Sequence, residues 1–296
     1  MVNLYSNRVY QITVHFVLIA MAIAAAFPFL LLISASLTEE QAIIRNGYSL
    51  IPDQFSFDAY VYLFNQYSLI LRSYGITTFI TIVGTILGLL ITTLIAYPLS
   101  RNVLPFRSFL SFFVFFTLLF NGGLVPMYLV YTDLFHLKDT IWSLIIPNLL
   151  TNGFYILLMR SFFSTSIPGE VVESAYVDGA NEWVIYYKIV LPLALPSLAT
   201  IGLMLMISYW NDWFNGLIFI NDGSLYSIQN LLNRMLSDVQ YLQQNSLSGQ
   251  TAVASSVPLA SVRMAIAVIG VLPLIAAYPF FQKFFVKGLT IGAVKG

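Results

Sequence analysis

Polar side chains set inside otherwise apolar stretches are the residues of this chain best placed to do chemistry. The densest group is Tyr209, Trp210, Asn211, Asp212, Trp213 and Asn215. Asn148, Asn152 and Tyr155 follow one another at spacings of four and three, which on a helix places them on one face. Asn121 joins Gly122 and Gly123, where a helix can break, and broken helices at mid-depth often line transport sites. These residue types point to binding chemistry. Aromatic faces stack on flat apolar surfaces, while amides and carboxylates hydrogen-bond to polar groups. Covalent and metal chemistry is poorly provided for. The chain has no Cys, which excludes disulfides, thiolate metal sites and thiol nucleophiles. His15 and His136 lie far apart and near span ends. No apolar stretch encloses the paired carboxylates that acid–base hydrolysis needs.

The elements that position these residues are membrane helices. Of 296 residues, 58% are hydrophobic and 9% charged, and mean hydropathy is +0.82. A soluble domain carries about 25% charged residues, so this chain has too few to cover a water-facing surface. Its net charge of zero gives no basic face for nucleic acid. A membrane-crossing helix needs about 20 mostly apolar residues. Six stretches qualify: about 13–36, 69–97, 108–131, 141–163, 193–220 and 263–282. The first is longer than a signal-peptide core and is read as an uncleaved span. Placing the N-terminus in the cytoplasm puts eight of the thirteen Lys and Arg on the inner side, with four of the thirteen Asp and Glu. Both termini are therefore expected in the cytoplasm. Gly84 and Gly88 in the second span, with Thr77, Thr81, Thr85 and Thr92 nearby, predict close helix packing. Phe57–Phe64 reads as a short interfacial helix. Ile228, Leu231, Leu232, Met235 and Leu236 predict an amphipathic helix on the outer side.

The inner segment 164–192 reads as helix–turn–helix. Ser164–Ser166 offer capping oxygens, Pro168 suits a first turn and Glu170 complements the helix dipole. Val171, Val172, Ala175 and Tyr176 form an apolar stripe. Gly179 can adopt the left-handed conformation that ends a helix, and a second helix over about 181–189 runs to Pro192.

Here the sequence resembles the permease subunits of ABC importers. Their cytoplasmic signature reads Glu-Ala-Ala, three residues, Gly, nine residues, Ile, one residue, Leu-Pro. It falls on Glu173, Ser174, Ala175, Gly179, Ile189, Leu191 and Pro192 with every spacing intact. Ser174 stands where Ala is usual, a small-for-small change. The terminal run from Phe281 to Gly296 is similar to the tail of carbohydrate-uptake permeases, among them the smaller permease of the maltose importer. The Pro28 region, the Trp210–Trp213 cluster and Arg263-Met264-Ala265 resemble the same group. Asn121-Gly122-Gly123-Leu124-Val125-Pro126 is similar to its branch for complex or acidic oligosaccharides.

The resemblance implies an all-α six-helix bundle of the type I importer permease kind, with a cytoplasmic coupling helix between spans four and five. Glu173, Ser174, Ala175, Asp178, Gly179, Ile189, Leu191 and Pro192 are then expected to couple the chain to an ATPase, with Ala and Gly forming a face that enters its cleft. Lys287, Gly288 and Lys295 of the tail 283–296 are expected at the ATPase interface. The implied partners are a homologous second permease, two ATPase subunits, an extracellular solute-binding protein, the lipid bilayer and an oligosaccharide. No cofactor is expected on this chain. Its Gly-rich tail lacks the Gly, four residues, Gly-Lys, Ser/Thr phosphate loop, so ATP and Mg belong to the partner ATPase. The implied location is the cell membrane, and the implied function is half of a sugar translocation pathway. The alternative is a permease of the same kind for a non-sugar solute such as an amino acid or phosphate.

Overall fold

A computed structural model of the chain describes residues 8–101, 104–247, 258–273 and 275–276. Helices dominate, and the only extended pairing among the described residues is an antiparallel bridge between Thr38 and Phe55. The described residues fall into two compact units. One takes in residues up to Ser68 with Leu232–Pro273; the other consists chiefly of Leu69–Leu231.

The first unit begins with α1 (Arg8–Ser36), a long apolar helix with Pro28 inside it. None of its apolar window is buried. Two short helices follow, α2 (Glu40–Asn46) and α3 (Asp58–Phe64), the second matching the expected interfacial helix. Glu40 ties distant sequence together. Its carboxylate accepts from the backbone N–H of Ala260 and of Ser261, at 2.9 and 3.0 Å. Both donors lie in the first turn of the apolar helix Leu259–Pro273, where N–H groups have no partner within the helix.

The second unit holds α4 (Tyr67–Ser100), α5 (Arg107–Leu119) and α6 (Leu124–Leu134). Beyond these come α7 (Gly153–Ser166), α8 (Gly169–Val177), α9 (Glu182–Leu193), α10 (Leu195–Trp210) and α11 (Phe214–Phe219). Helix α12 (Ile228–Leu247) begins here and continues into the first unit. It is the predicted amphipathic helix, with Ile228, Leu231, Leu232, Met235 and Val239 buried.

Two stretches, α1 and α4, form single helices long and apolar enough to cross a membrane. Three others depart from a straight span, each for a local reason. Span 108–131 is bent by 114° between α5 and α6. Gly123 sits at φ 89° and its N–H donates to Asn121 Oδ1 at 2.8 Å, so a turn replaces the helix. Span 141–163 opens with a short 3-10 turn over Ile141–Leu144 and is α-helical only from Gly153. Pro147 has no N–H to donate and Asn148 takes a left-handed φ of 62°, so residues 145–152 run as turns. Span 193–220 ends its helix at Trp210 and restarts at Phe214, and α9 meets α10 at 79° beside Pro192 and Pro196. By length and composition the described residues thus offer two continuous spans and two bent pairs. The last predicted span, 263–282, is described to Pro273 and at 275–276; its end lies outside the described residues.

Helices α4 and α10 touch at glycine. A Cβ on Gly84 would lie 2.3–2.6 Å from the ring of Tyr209, which is wholly buried. Gly84 and Gly88 therefore do the packing work expected of them. Gly84→Ala is expected to cost about 1–3 kcal/mol by overpacking and to lower the thermal unfolding midpoint in detergent. Gly88→Ala should cost less, because its nearest neighbour is the flexible Leu205 methyl at 3.2 Å. Equal losses in the two variants would sink this account.

Candidate functional site

The segment 164–192 forms the expected helix–turn–helix, with one correction. Ser164–Ser166 belong to the last turn of α7, where Thr165 Oγ1 bonds back to the Ser161 carbonyl at 2.9 Å, so they do not cap α8. Pro168 precedes α8 without a side-chain cap. At the other end Gly179 adopts φ 77°, and the Asp178, Gly179 and Ala180 N–H groups bond to the Ser174, Tyr176 and Ala175 carbonyls. Asn181 then caps α9 by accepting from Val184 N at 2.9 Å.

Helix α8 has two faces. Val172 and Ala175, three residues apart, are buried in a core shared with Ala96 and Leu99 of α4, Met159 and Phe163 of α7, and Ile185 of α9. Glu173, Ser174, Val177, Asp178 and Gly179 are exposed, Val177 at 88%. This corrects the expected small-residue face: Ala175 holds α8 to its own bundle, because the Val172–Ala175 stripe is the apolar side available for burial. Ile189 and Leu191 also pack against that core, half-buried, while Pro192 lies exposed at the bend into α10. Of the signature, Glu173 and Ser174 face outward beside Asp178, and Ile189 and Leu191 anchor. Tail residues Lys287, Gly288 and Lys295 lie outside the described residues.

A cluster that sequence reasoning missed joins α4 to this segment. The Glu182 carboxylate accepts hydrogen bonds from the hydroxyls of Tyr97 on α4 and Tyr176 on α8. Arg101 lies over the Tyr97 ring at 6.0 Å. Burial pushes the Glu182 carboxyl up, but the two hydroxyls and the Arg101 charge outweigh it and hold it below the ordinary 4.5. Bonding to Glu182 correspondingly pushes the Tyr176 hydroxyl up. Tyr186 of α9 completes the joint, its hydroxyl 2.7 Å from Thr93 Oγ1. In sequence, Arg101 and Glu182 register only as charges that set sidedness.

The predicted path residues divide. Asn148, Asn152 and Tyr155 do not share a helix face, because α7 starts after Asn152. Asn152 instead caps α7 through Phe154 N at 2.9 Å, and Asn148 Nδ2 points to Met127 Sδ at 3.0 Å. Tyr155 packs half-buried against the α4–α7–α8 core. Asn121 is exposed at the α5–α6 break, and Asn211 Nδ2 turns back to the Ile207 carbonyl at 3.0 Å. Trp210 is buried near Tyr74, whereas Trp213 is exposed. Asp212 Oδ1 accepts from Asn215 N at 3.2 Å. Two neighbours of this group hold the irregular 145–148 backbone: Tyr209 donates to the Ile145 carbonyl at 2.9 Å and Asn215 Nδ2 to that of Pro147 at 3.0 Å. Trp210 Nε1, Asp212 Oδ2 and Asn215 Oδ1 are buried without a hydrogen-bond partner among the described residues. Asp139 accepts from the N–H groups of Asn221 and Asp222, which hold its carboxyl below the usual range.

Residues 84–291 match the family described as binding-protein-dependent transport system inner membrane component. The chain belongs to that family. It is a multi-pass membrane permease of an ABC importer, working in general with a second permease, an ATPase and a solute-binding protein, and it is not itself the ATPase. Among named relatives it is 37% identical over 290 residues to the polygalacturonan/rhamnogalacturonan transport system permease protein YtcP of Bacillus subtilis (strain 168), covering 98% of this chain and 99% of that one. It is 27% identical to the arabinooligosaccharides transport system permease protein AraQ of Halalkalibacterium halodurans, over 93% of each chain. A chain in the crystal structure of a bacterial ABC transporter involved in the import of the acidic polysaccharide alginate superposes with a TM-score of 0.79 at 31% identity. That superposition covers 95% of this chain and 98% of the other.

The Glu182 cluster has a pH signature. Its folded pKa lies below its unfolded value, so its stabilisation is present above the unfolded value and is lost as pH falls through the folded one. The difference in thermal midpoint between wild type and Glu182→Gln should be constant well above pH 4.5 and narrow as pH falls below it. A pH-independent difference would show that the carboxylate charge is not what the tyrosines hold.

Proposed function

We propose that this chain forms one half of the translocation pathway of an ATP-driven importer for an oligosaccharide, with uronate-containing chains the first class to test. The observation that carries the reading is likeness over nearly the whole chain to the alginate-importer permease, at 31% identity. The relatives' names, polygalacturonan/rhamnogalacturonan and arabinooligosaccharides, favour a sugar over an amino acid or phosphate. On this reading both termini are cytoplasmic. Two ATPase subunits carry ATP and Mg, and this chain binds neither. The exposed face of α8, with Glu173, Ser174, Val177, Asp178 and Gly179, docks on one ATPase, and the tail residues Lys287, Gly288 and Lys295 approach the ATPase interface. Asn121, Trp210, Asn211, Asp212 and Trp213 line or border the sugar path, and Asn148, Asn152 and Tyr155 support it.

The mechanism follows from the two faces of α8. Its inner side shares one core with α4, α7 and α9, so a pull on its outer side moves those helices together. ATP can shift the permease between outward and inward openings only if the docked ATPase prefers one of them.

Glu173→Arg and Val177→Asp are each expected to lower uptake of labelled digalacturonate by about 30-fold or more, the scale of a lost interface hot spot. The abundance of the chain in the membrane fraction should not change. Unchanged uptake in both variants would remove α8 as the coupling element. Normal uptake of an amino acid or phosphate, with none of digalacturonate or arabinooligosaccharides, would move the substrate to another class.

A further inference from the structure

A cavity of about 730 Å³ opens where the end of α4 meets α8 and α9. Its walls carry four aromatic rings, Tyr97, Tyr176, Trp183 and Tyr186, with Arg101 and Glu182 between them; leucines and prolines of residues 94–105 close the remainder. Its volume falls in the range of small-ligand sites, about 300–1,000 Å³. The polar groups in the cavity are organised. Tyr97 and Tyr176 both donate to Glu182, which leaves the carboxylate fixed in position, and Arg101 lies over the Tyr97 ring. The Trp183 ring is 67% exposed and stands edge-on to Tyr186 at 6.2 Å. The outward coupling residues Glu173, Ser174 and Val177 do not line this cavity.

The lining selects a class of ligand. Flat aromatic walls with fixed donors and acceptors suit a ring that has apolar C–H faces and hydroxyl edges. Arg101 and Glu182 offset one another in charge, so the cavity offers no surplus positive charge to hold a phosphate or a uronate. We propose that this cavity is a cytoplasm-facing site for a neutral saccharide of one or two rings, and that its occupancy slows import. The cytoplasmic placement and the sugar chemistry rest on the function proposed above. Ligand in the cavity bridges the second span and the coupling segment and so stabilises the conformation in which the cavity is open. Transport needs every conformation of the cycle, so stabilising one of them lowers the rate. A cytoplasmic sugar then reports on supply to the importer itself.

The test has two arms. The purified full chain in lipid nanodiscs is titrated with cellobiose while tryptophan fluorescence is recorded. A saturable change is expected, about tenfold weaker in Trp183→Ala and in Glu182→Gln and unaltered in Trp142→Phe, a residue outside both the cavity and the proposed sugar path. Galacturonate should bind about tenfold more weakly than cellobiose. In the second arm the assembled transporter is sealed in proteoliposomes with cellobiose inside. Uptake should fall severalfold relative to empty vesicles in wild type, and this ratio should return towards one in Trp183→Ala. No saturable change, an equal change in Trp183→Ala, tighter binding of galacturonate, or binding in detergent that lipid abolishes would each overturn the proposal; the last would assign the cavity to lipid. The binding arm needs no transport, so it fails or succeeds independently of whether the imported solute is a sugar.

Discussion

Backbone that is not helical must find hydrogen-bond partners wherever lipid replaces water, and the stretch from Ile145 to Asn152 is where this chain meets that demand. The Ile145 and Pro147 carbonyls are held by Tyr209 and Asn215, side chains more than sixty residues further on. That reach is possible because α10 lies against α4 at Gly84, where any side chain would collide with the Tyr209 ring. One glycine thus sets the depth of Tyr209, and Tyr209 in turn supports the turn that precedes α7. Ile80 of α4, Leu144, Ile145 and Ile220 close a small core around the same point.

On the other side of the second unit the same economy appears with charge. The family signature reads as one motif in sequence but divides into two jobs in space. Glu173 and Ser174 face outward, while Ala175, Ile189 and Leu191 hold the segment to its bundle. Glu182 of α9, outside the signature, gathers α4 and α8 through the hydroxyls of Tyr97 and Tyr176. On the proposed function, α8 has to be rigid on its own protein before it is useful to another. The buried Val172–Ala175 stripe and the Glu182 cluster supply that rigidity.

What was legible in the sequence follows from the range of the forces involved. Apolar length revealed α1 and α4, a 3.6-residue period revealed α12, and the turn at Gly179 could be read from local backbone preference. The break at Asn121–Gly123 was also local and was anticipated. Hydropathy alone ran straight through Pro147 and Asn211–Asp212, because an apolar irregular stretch and an apolar helix have the same composition. Deciding between them requires knowing that Tyr209 and Asn215 arrive to satisfy the freed carbonyls, which is a long-range fact. The shared face expected for Asn148, Asn152 and Tyr155 failed for the same reason. Glu182 was counted as a charge rather than as an acceptor because its donors, Tyr97 and Tyr176, come from two other helices.

The distance in sequence between Ile145 and its support has a consequence during synthesis. Helix α1 satisfies its own backbone and can enter the bilayer as soon as it is made. The 145–152 turn cannot be completed until the ribosome has added residues 209–215. For that interval the nascent chain carries two carbonyls without their eventual donors. The turn is complete only once Tyr209 has come to rest against Gly84.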